Sequence, residues 1–298
     1  MSSWDPPKLT FLITGCSSGF GLALTRLALA HSHTVIATAR NPSALPPALV
    51  AEVESHASNG SRFLALDVDS PTRAAELVEQ LECRDDCVAI DVLVNNAGWS
   101  VHGPAESFRD DEVRRQFETV FFGPYRLARA VVPHMRRRRR GMIVNIGSGA
   151  GVDGRESMAV YAAAKAALDG LMRVMAKELA PFNIRSLTVQ LGGFDTNFTR
   201  ALTRTAEPFP DDYAGSMVGK VLGSIEGANF QPDGDHRKAA RAIYEVIVGE
   251  GVGRGKEAER VLPLGRDMGK MMDRVADATK HSMDTFRDVC DNVYLEKK

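Results

Sequence analysis

Apolar residues along this chain come in short runs, separated by stretches with helical spacing, and the two kinds of segment alternate through most of its 298 residues. Leu9–Thr14 (LTFLIT) is an apolar run closed by a glycine-rich turn, which predicts a buried strand. Phe20–Ala30 repeats its apolar positions on a helical period. Thr34–Ala39 (TVIATA) is β-branched and predicts a second strand. A helix at Ala44–Ala57 follows Pro42, and Arg62–Leu66 predicts a third strand, ending at Asp67. The next helix runs from near Pro71 toward Glu82, with the proline at the end that tolerates it. Asp91–Val94, Met142–Ile146 and Ile184–Leu191 predict strands four to six. Long helical stretches lie between them at Asp110–Arg138, bent locally at Pro124 and Pro133, and at Ser157–Leu179. Strands alternating with helices define an α/β fold, a doubly wound and mostly parallel sheet of Rossmann type with helices on both faces.

The pattern loosens after Gly193. Phe194–Gly234 contains Pro208, Pro210, Pro232 and repeated glycines, and reads as an irregular segment with one or two helices. Arg237–Val248 predicts a helix, Arg260–Pro263 a last strand and Asp267–Asp288 a terminal helix. No second domain is expected. Residues 1–193 form the core of a single domain, and 194–298 a C-terminal extension that closes over it.

Composition narrows the classes. Lys and Arg number 37 and Asp and Glu 38, so the near-zero net charge gives no general attraction to nucleic acid. No apolar run reaches the ~18 residues of a membrane span. The N-terminus, MSSWDPPKLT, does not read as a signal peptide, so the cytoplasm is the expected setting. Cys16, Cys83, Cys87 and Cys290 are scattered, and Cys83 and Cys87 lack the further ligands a metal site needs. The arginine run Arg136–Arg140 falls at a helix end, where cations complement the dipole, and reads as a solvated terminus. His31 and His33 read as a polar turn before the second strand.

Three features carry chemistry. The first is the turn Thr14-Gly15-Cys16-Ser17-Ser18-Gly19-Phe20-Gly21, in which glycines allow close backbone approach to a pyrophosphate at a helix N-terminus. The second is Tyr161 and Lys165, four apart and so on one helix face. An ammonium beside a phenol lowers its pKa from ~10, as a general acid or base near neutrality requires. The spacing alone is weak, since Tyr294 and Lys298 share it. The third is Ser148, at the carboxyl end of the fifth strand, where α/β sheets border their ligands. Its hydroxyl either hydrogen-bonds a substrate oxygen or caps a turn.

The ordered set TGCSSGFG, LDV (66–68), NNAG (95–98), NIGS (145–148), YAAAK (161–165) and LGGFDTNF (191–198) resembles the short-chain dehydrogenase/reductases, nearest to their hydroxysteroid- and retinol-dehydrogenase-like branch. GDHRKAARAI (234–243) and VLPLGRD (261–267) extend the resemblance over nearly the whole chain. It implies a catalytic set of Ser148, Tyr161 and Lys165. It also implies a cofactor site built from Gly15, Ser17, Ser18, Gly19, Phe20 and Gly21, with Asp67 and Val68 against the adenine and Asn96, Ala97 and Gly98 near its ribose. Lys165 would bind the nicotinamide ribose, and Gly193, Phe194 and Thr196 would lie near the nicotinamide. The second strand ends in Ala39 and Arg40, not in the acid that holds a ribose 2′-hydroxyl, so the expected cofactor is NADP(H). The expected activity is hydride transfer to a ketone, or from a secondary alcohol, in a fairly large apolar substrate such as a polyketide, terpenoid or steroid-like ketone of secondary metabolism. Phe198, Phe209, Tyr213, Met217 and Phe230 suit an apolar pocket, and His102, just after NNAG, stands near the cleft. No metal or nucleic-acid partner is expected, and a homodimer or homotetramer through the two long helices is.

Two positions depart from the resemblance. Val120 stands where many relatives carry an Asn that holds a water connecting Lys165 to solvent, and Leu191 stands where many have proline. Valine offers no side-chain hydrogen bond. A redox-neutral isomerase, dehydratase or cyclase on the same fold stays open on that account, and so does a non-catalytic nucleotide sensor. Val120→Asn is expected to leave NADPH binding intact and not to abolish turnover; a loss of NADPH affinity by titration would contradict this placement of the helix.

Overall fold

The first strand, β1 (Thr10–Ile13), is buried on both sides: Phe11 and Ile13 join one apolar cluster and Leu12 joins another. The structure, a computed structural model, describes residues 8–84, 88–198, 202–226 and 232–295. With β1, the strands β2 (Thr34–Ala39), β3 (Arg62–Ala65), β4 (Val92–Asn95), β5 (Gly141–Ile146), β6 (Ile184–Leu191) and β7 (Val261–Leu264) form one seven-stranded sheet in the order β7-β6-β5-β4-β1-β2-β3. Every pairing in it is parallel. The helices are α1 (Gly19–Ala30), α2 (Pro47–Glu54), α3 (Arg73–Glu79), α4 (Asp110–Phe117), α5 (Gly123–Arg138), α6 (Ala150–Asp153), α7 (Ala159–Leu179), α8 (Met217–Glu226), α9 (His236–Val248) and α10 (Arg266–Asp291). Leu24 and Ala28 of α1 and Ala240 and Ile243 of α9 cover the face shown by Phe11 and Ile13. Leu77 of α3, Leu127 and Val131 of α5 and Met172 of α7 cover the other. Because both faces are covered, the central strands β1, β4 and β5 are almost wholly buried and mainly apolar.

The long helix expected over 110–138 is three pieces: α4, a wider π turn at Glu118–Phe122, and α5. Pro124 falls at the start of α5, where its missing N–H has no partner to lose. Pro133 lies inside α5, and the helix runs through it. The second helix is shorter than expected, since Pro46 and Pro47 set its start and single 3₁₀ turns flank it.

His33 is not part of a polar turn. It is 2% exposed, its Nδ1 accepts from the Leu9 backbone N–H (3.1 Å), and its Nε2 lies 2.9 Å from the Tyr244 hydroxyl. Burial holds its pKa below the ordinary value. His31 closes α1. The arginine run is likewise more than a solvated end. Arg138 grips Glu82 through both Nη atoms (2.5 and 3.0 Å) and reaches the Ile90 carbonyl (3.0 Å), while Arg140 pairs with Asp91 (2.6 Å). Arg136 and Arg139 lie over the Phe182 ring. The run fastens α5 to the chain before β4 and after α7. Cys83 is an exposed free thiol, and Cys87 and Phe230 lie outside the described residues. No group of three metal-ligating side chains occurs among the described residues, and no helix there is long and apolar enough to cross a membrane.

The Glu82 side chain is 3% exposed, so Arg138→Ala leaves a carboxylate buried beside a weaker partner. The expected loss of stability is about 3 kcal/mol in urea unfolding. Arg137→Ala, one residue away and without an acidic partner among the described residues, is expected to cost less than about 0.5 kcal/mol. Equal effects would show that the run acts only by its total charge.

Candidate active site

The strand order reverses between β1 and β4, and the turns that leave these two strands meet at their carboxyl ends. Such a reversal opens a crevice in a parallel sheet. Gly15 (φ +71°) and Gly19 (φ +55°) take the left-handed conformation that L side chains rarely adopt. A Cβ on Gly21 would lie 2.3 Å from the Gly15 carbonyl oxygen and 2.6 Å from Asn96 Nδ2. The first turn therefore folds tightly onto the second. The Asn96 side chain donates to the carbonyls of Thr14 (2.8 Å) and Gly15 (3.1 Å), and the Thr14 hydroxyl accepts from the backbone N–H groups of Asn96 (2.9 Å) and Ala97 (3.0 Å). Cys16, inside the turn, is buried; desolvation raises its pKa to about 11, so it stays a neutral thiol.

Tyr161 and Lys165 sit one helical turn apart on the buried face of α7, as their spacing predicts. Lys165 Nζ donates to the Ile146 carbonyl (2.6 Å) and stands 5.7 Å from the Tyr161 ring centre. Burial pulls the Lys165 pKa down to about 8, opposed by Asp169 one turn further on. The expected lowering of the phenol is not what this arrangement produces. Burial raises Tyr161 to about 12; the hydrogen bond with Ser148 works downward and the Asp169 charge upward. The ammonium is turned to a carbonyl, and desolvation is the largest influence on the ring. Ser148 meets both readings of it, because its Oγ accepts from the Ala150 N–H (3.2 Å), capping the turn into α6, and also lies against Tyr161. Val120, on the π turn, is fully buried and packs with Ala150, Tyr161 and Ala164, so the place of the relatives' Asn is filled by apolar packing.

These groups open onto a cavity of about 670 Å³. Of the predicted residues, Gly15, Ser17, Ser18, Gly19, Phe20, Arg40, Val68, Asn96, Ala97, Gly98, Ser148, Tyr161, Lys165, Gly193, Phe194 and Thr196 line it. Two do not. Gly21 lies behind the turn against Gly15, and Asp67 is exposed, its Oδ1 accepting from the Asp69 N–H (3.1 Å). Asp69 and Leu66 take the lining positions beside Val68. Asp69 is held above its ordinary pKa by burial, against the pull of the Thr119 hydroxyl 2.7 Å away. Phe198 and Met217 line the cavity, with the Phe198 ring 5.7 Å from that of Tyr161. Phe209 and Tyr213 do not; their rings meet at a tilt of 53°, and the Tyr213 hydroxyl reaches Glu106.

The pattern alone missed the C-terminal contribution. Asp267, at the start of α10, accepts from the Gly193 N–H (3.2 Å), and a Cβ on Gly192 would collide with its carboxylate. Met268 and Met271 pack against Gly149, beside Ser148. The only sequence signal for this was the family-like VLPLGRD segment, which says nothing of contacts.

A family model described as short chain dehydrogenase matches residues 9–207. The chain is 34% identical over 241 residues to 3-ketodihydrosphingosine reductase of Bacteroides thetaiotaomicron, covering 79% of this chain and 82% of that one. Its fold matches a short-chain dehydrogenase from Streptomyces avermitilis at a TM-score of 0.82 and 32% identity, covering 99% of this chain and 100% of that chain. A metagenomic short-chain oxidoreductase solved in complex with NADP matches at a TM-score of 0.57 and 27% identity, over 74% of this chain and 91% of that one.

Two glycines test the packing of the turn. Gly21→Ala is expected to lower stability by about 1–3 kcal/mol, because backbone must move to admit the methyl. Gly170→Ala, in α7 with nothing within 4 Å of its Cβ position, is expected to raise it by about 0.5–1 kcal/mol. Urea unfolding measures both, and a neutral Gly21→Ala would mean the turn is looser than described.

Proposed function

The chain belongs to the short chain dehydrogenase family, and on that premise we propose that it is an NADP(H)-dependent reductase of a fairly large apolar ketone, with Tyr161 as proton donor. The observation that carries the reading is the convergence of Ser148, Tyr161 and Lys165 on the cavity that begins at the Gly15–Gly19 turn. The residues fit the cofactor. Glycines at 15 and 19, with no side chain between backbone and cavity, leave the N–H groups at the start of α1 open to a pyrophosphate. Arg40 is exposed at the cavity edge and suits a 2′-phosphate, since its planar fork donates twice. Leu66, Val68 and Asp69 would border the adenine, Asn96 to Gly98 its ribose, and Gly193, Phe194 and Thr196 the nicotinamide end.

When bound, NADPH supplies the hydride. Tyr161 gives its phenolic proton to the substrate oxygen, and Ser148 holds that oxygen in place by hydrogen bonding. Lys165 holds positive charge beside the phenol and would bind the ribose hydroxyls. A phenol held near 12 is protonated at neutrality, the form that can donate to a substrate oxygen. Met158, Phe198, Leu202, Met217 and Val221 give the cavity an apolar side, beside Arg155, Asn197, Lys220 and Ser224. The 3-ketodihydrosphingosine reductase relative, named for a ketone substrate, supports the substrate class. The protein would work in a reducing cytoplasm, consistent with its free Cys16, Cys83 and Cys290, and would self-associate through the outer faces of α5 and α7, where Phe122, Tyr125 and Val174 are exposed. Val120 favours one other reading, a redox-neutral reaction at the same site.

The deciding experiment incubates the protein with NADPH or NADH and a panel of bulky ketones, following absorbance and product mass. Ketone reduction with NADPH oxidation is expected, and product without cofactor oxidation would favour the redox-neutral reading. Tyr161→Phe is expected to lower kcat by about 10²- to 10⁴-fold with NADPH affinity unchanged. Arg40→Ala should weaken NADPH about 10- to 100-fold and leave NADH unaffected. In the free enzyme Tyr161 stays protonated to about 12 while Lys165 loses its charge above about 8. The alkaline fall of kcat/KM for reduction should therefore begin near pH 8 and move upward in Lys165→Arg. A fall that Lys165→Arg does not move would assign it to another group.

A further inference from the structure

His102 is a buried polar group lining the cavity that the proposed chemistry leaves unused. It lies on a two-residue strand, Val101–His102, paired in parallel with Thr203–Arg204. Its own carbonyl accepts from the Thr205 N–H (3.0 Å), and the next N–H, of Gly103, donates to the Ser157 carbonyl (3.0 Å). Ser157 is buried and takes φ +68°, a conformation costly for a residue with a Cβ. That conformation brings its hydroxyl to His102 Nδ1 at 3.0 Å. A buried hydroxyl proton needs an acceptor, and Nδ1 is the one in reach. Ser157 therefore donates, and the imidazole proton sits on Nε2. Desolvation and the Arg155 charge pull the His102 pKa down to about 4, which keeps the ring neutral.

The imidazole is 4% exposed and lines the cavity, yet among the described residues Nε2 has no hydrogen-bond partner. Buried donors of this kind are uncommon and cost more than a typical hydrogen bond gains. Met158, Phe198, Leu202 and Met217 line the same cavity. The backbone ties and the strained Ser157 hold the ring at the cavity, with Nε2 unpaired among the described residues. Resting on the reductase reading above, we propose that His102 Nε2–H donates to a second oxygen on the substrate, distinct from the reacting carbonyl. The substrate class is then an apolar ketone carrying another acceptor oxygen, a dicarbonyl or hydroxyketone, and His102 selects it.

The test uses aryl-alkyl diketones, in which the second carbonyl stands at varied distance from the first, beside the matching monoketones. The wild type should favour at least one diketone over its monoketone by about tenfold or more in kcat/KM. His102→Leu should reduce that preference about 10- to 100-fold and leave the monoketone within about twofold, while His102→Gln, which keeps an N–H, restores part of it. Equal rates across the series in the wild type, or an equal loss for both ketones in His102→Leu, would overturn the proposal and leave His102 a packing residue. A second readout needs no turnover. In ¹⁵N-histidine-labelled protein with NADP⁺, the Nε2 resonance missing from His102→Leu should shift on adding the favoured diketone and not on adding the monoketone. The same shift with both, or with neither, overturns the proposal even if reduction is observed. A diketone-specific shift without reduction of any ketone would sustain the contact and count against the reductase reading alone.

Discussion

The Asn96 amide and the Thr14 hydroxyl tie two halves of the sheet together at the point where its strand order reverses. Asn96 Nδ2 spans the carbonyls of Thr14 and Gly15, and Thr14 Oγ1 returns two bonds to the chain leaving β4. The tie closes only because positions 15 and 21 carry no Cβ; a methyl on Gly15 would sit 3.0 Å from the Ala97 Cα. The start of α1, the Asn96–Gly98 backbone and the end of β5 then share one rim. Separated by even the width of a methyl group, these turns would no longer present their N–H groups to a common ligand, and the cavity would lose its floor.

Burial governs the electrostatics of that rim. Tyr161 is 6% and Lys165 5% exposed, and desolvation pushes the phenol up and the ammonium down. Asp169 extends the row by one more turn and is itself raised by burial, its Oδ2 accepting from Gln190 Nε2 at 2.5 Å. In Tyr161, Lys165 and Asp169 alike, burial shifts the pKa toward the neutral form. Val120 adds to this, since it supplies packing where a polar side chain would bring water. The proton economy of the site depends on what enters the cavity more than on the helix-face spacing that first marked these residues.

The C-terminal part is a working wall of the same site. Asp267 pins the Gly192–Gly193 turn, Met268 and Met271 press on Gly149, and Arg274 pairs with Asp153 of α6 (2.5 Å). Beyond that pair α10 runs exposed, with Phe286 61% accessible. The chain therefore grips the loop that carries Ser148 from both ends, through β5 and through α10.

Much of this was legible in the sequence. The apolar runs named all seven strands of the sheet to within a residue or two, because strands covered on both faces are rich in apolar and β-branched residues. The glycine turn, NNAG, Ser148, Tyr161 and Lys165 were readable because close backbone approach and proton transfer each restrict the residue types that serve. What the sequence could not decide was set by distance through space. Asp67 turned outward and Asp69 inward; His33 left its supposed turn for the core; the arginine run became a clamp on Glu82 and Asp91. The phenol moved opposite to the direction its lysine predicted. Local spacing places two groups on one face, but only tertiary packing sets how much water each keeps, and that controls their charge. The sequence by itself determined the sheet, the turn and which side chains, Ser148, Tyr161 and Lys165, stand at the cavity. The tertiary structure decided their protonation, the closure by α10, and the unpartnered His102, because those depend on neighbours distant in the chain.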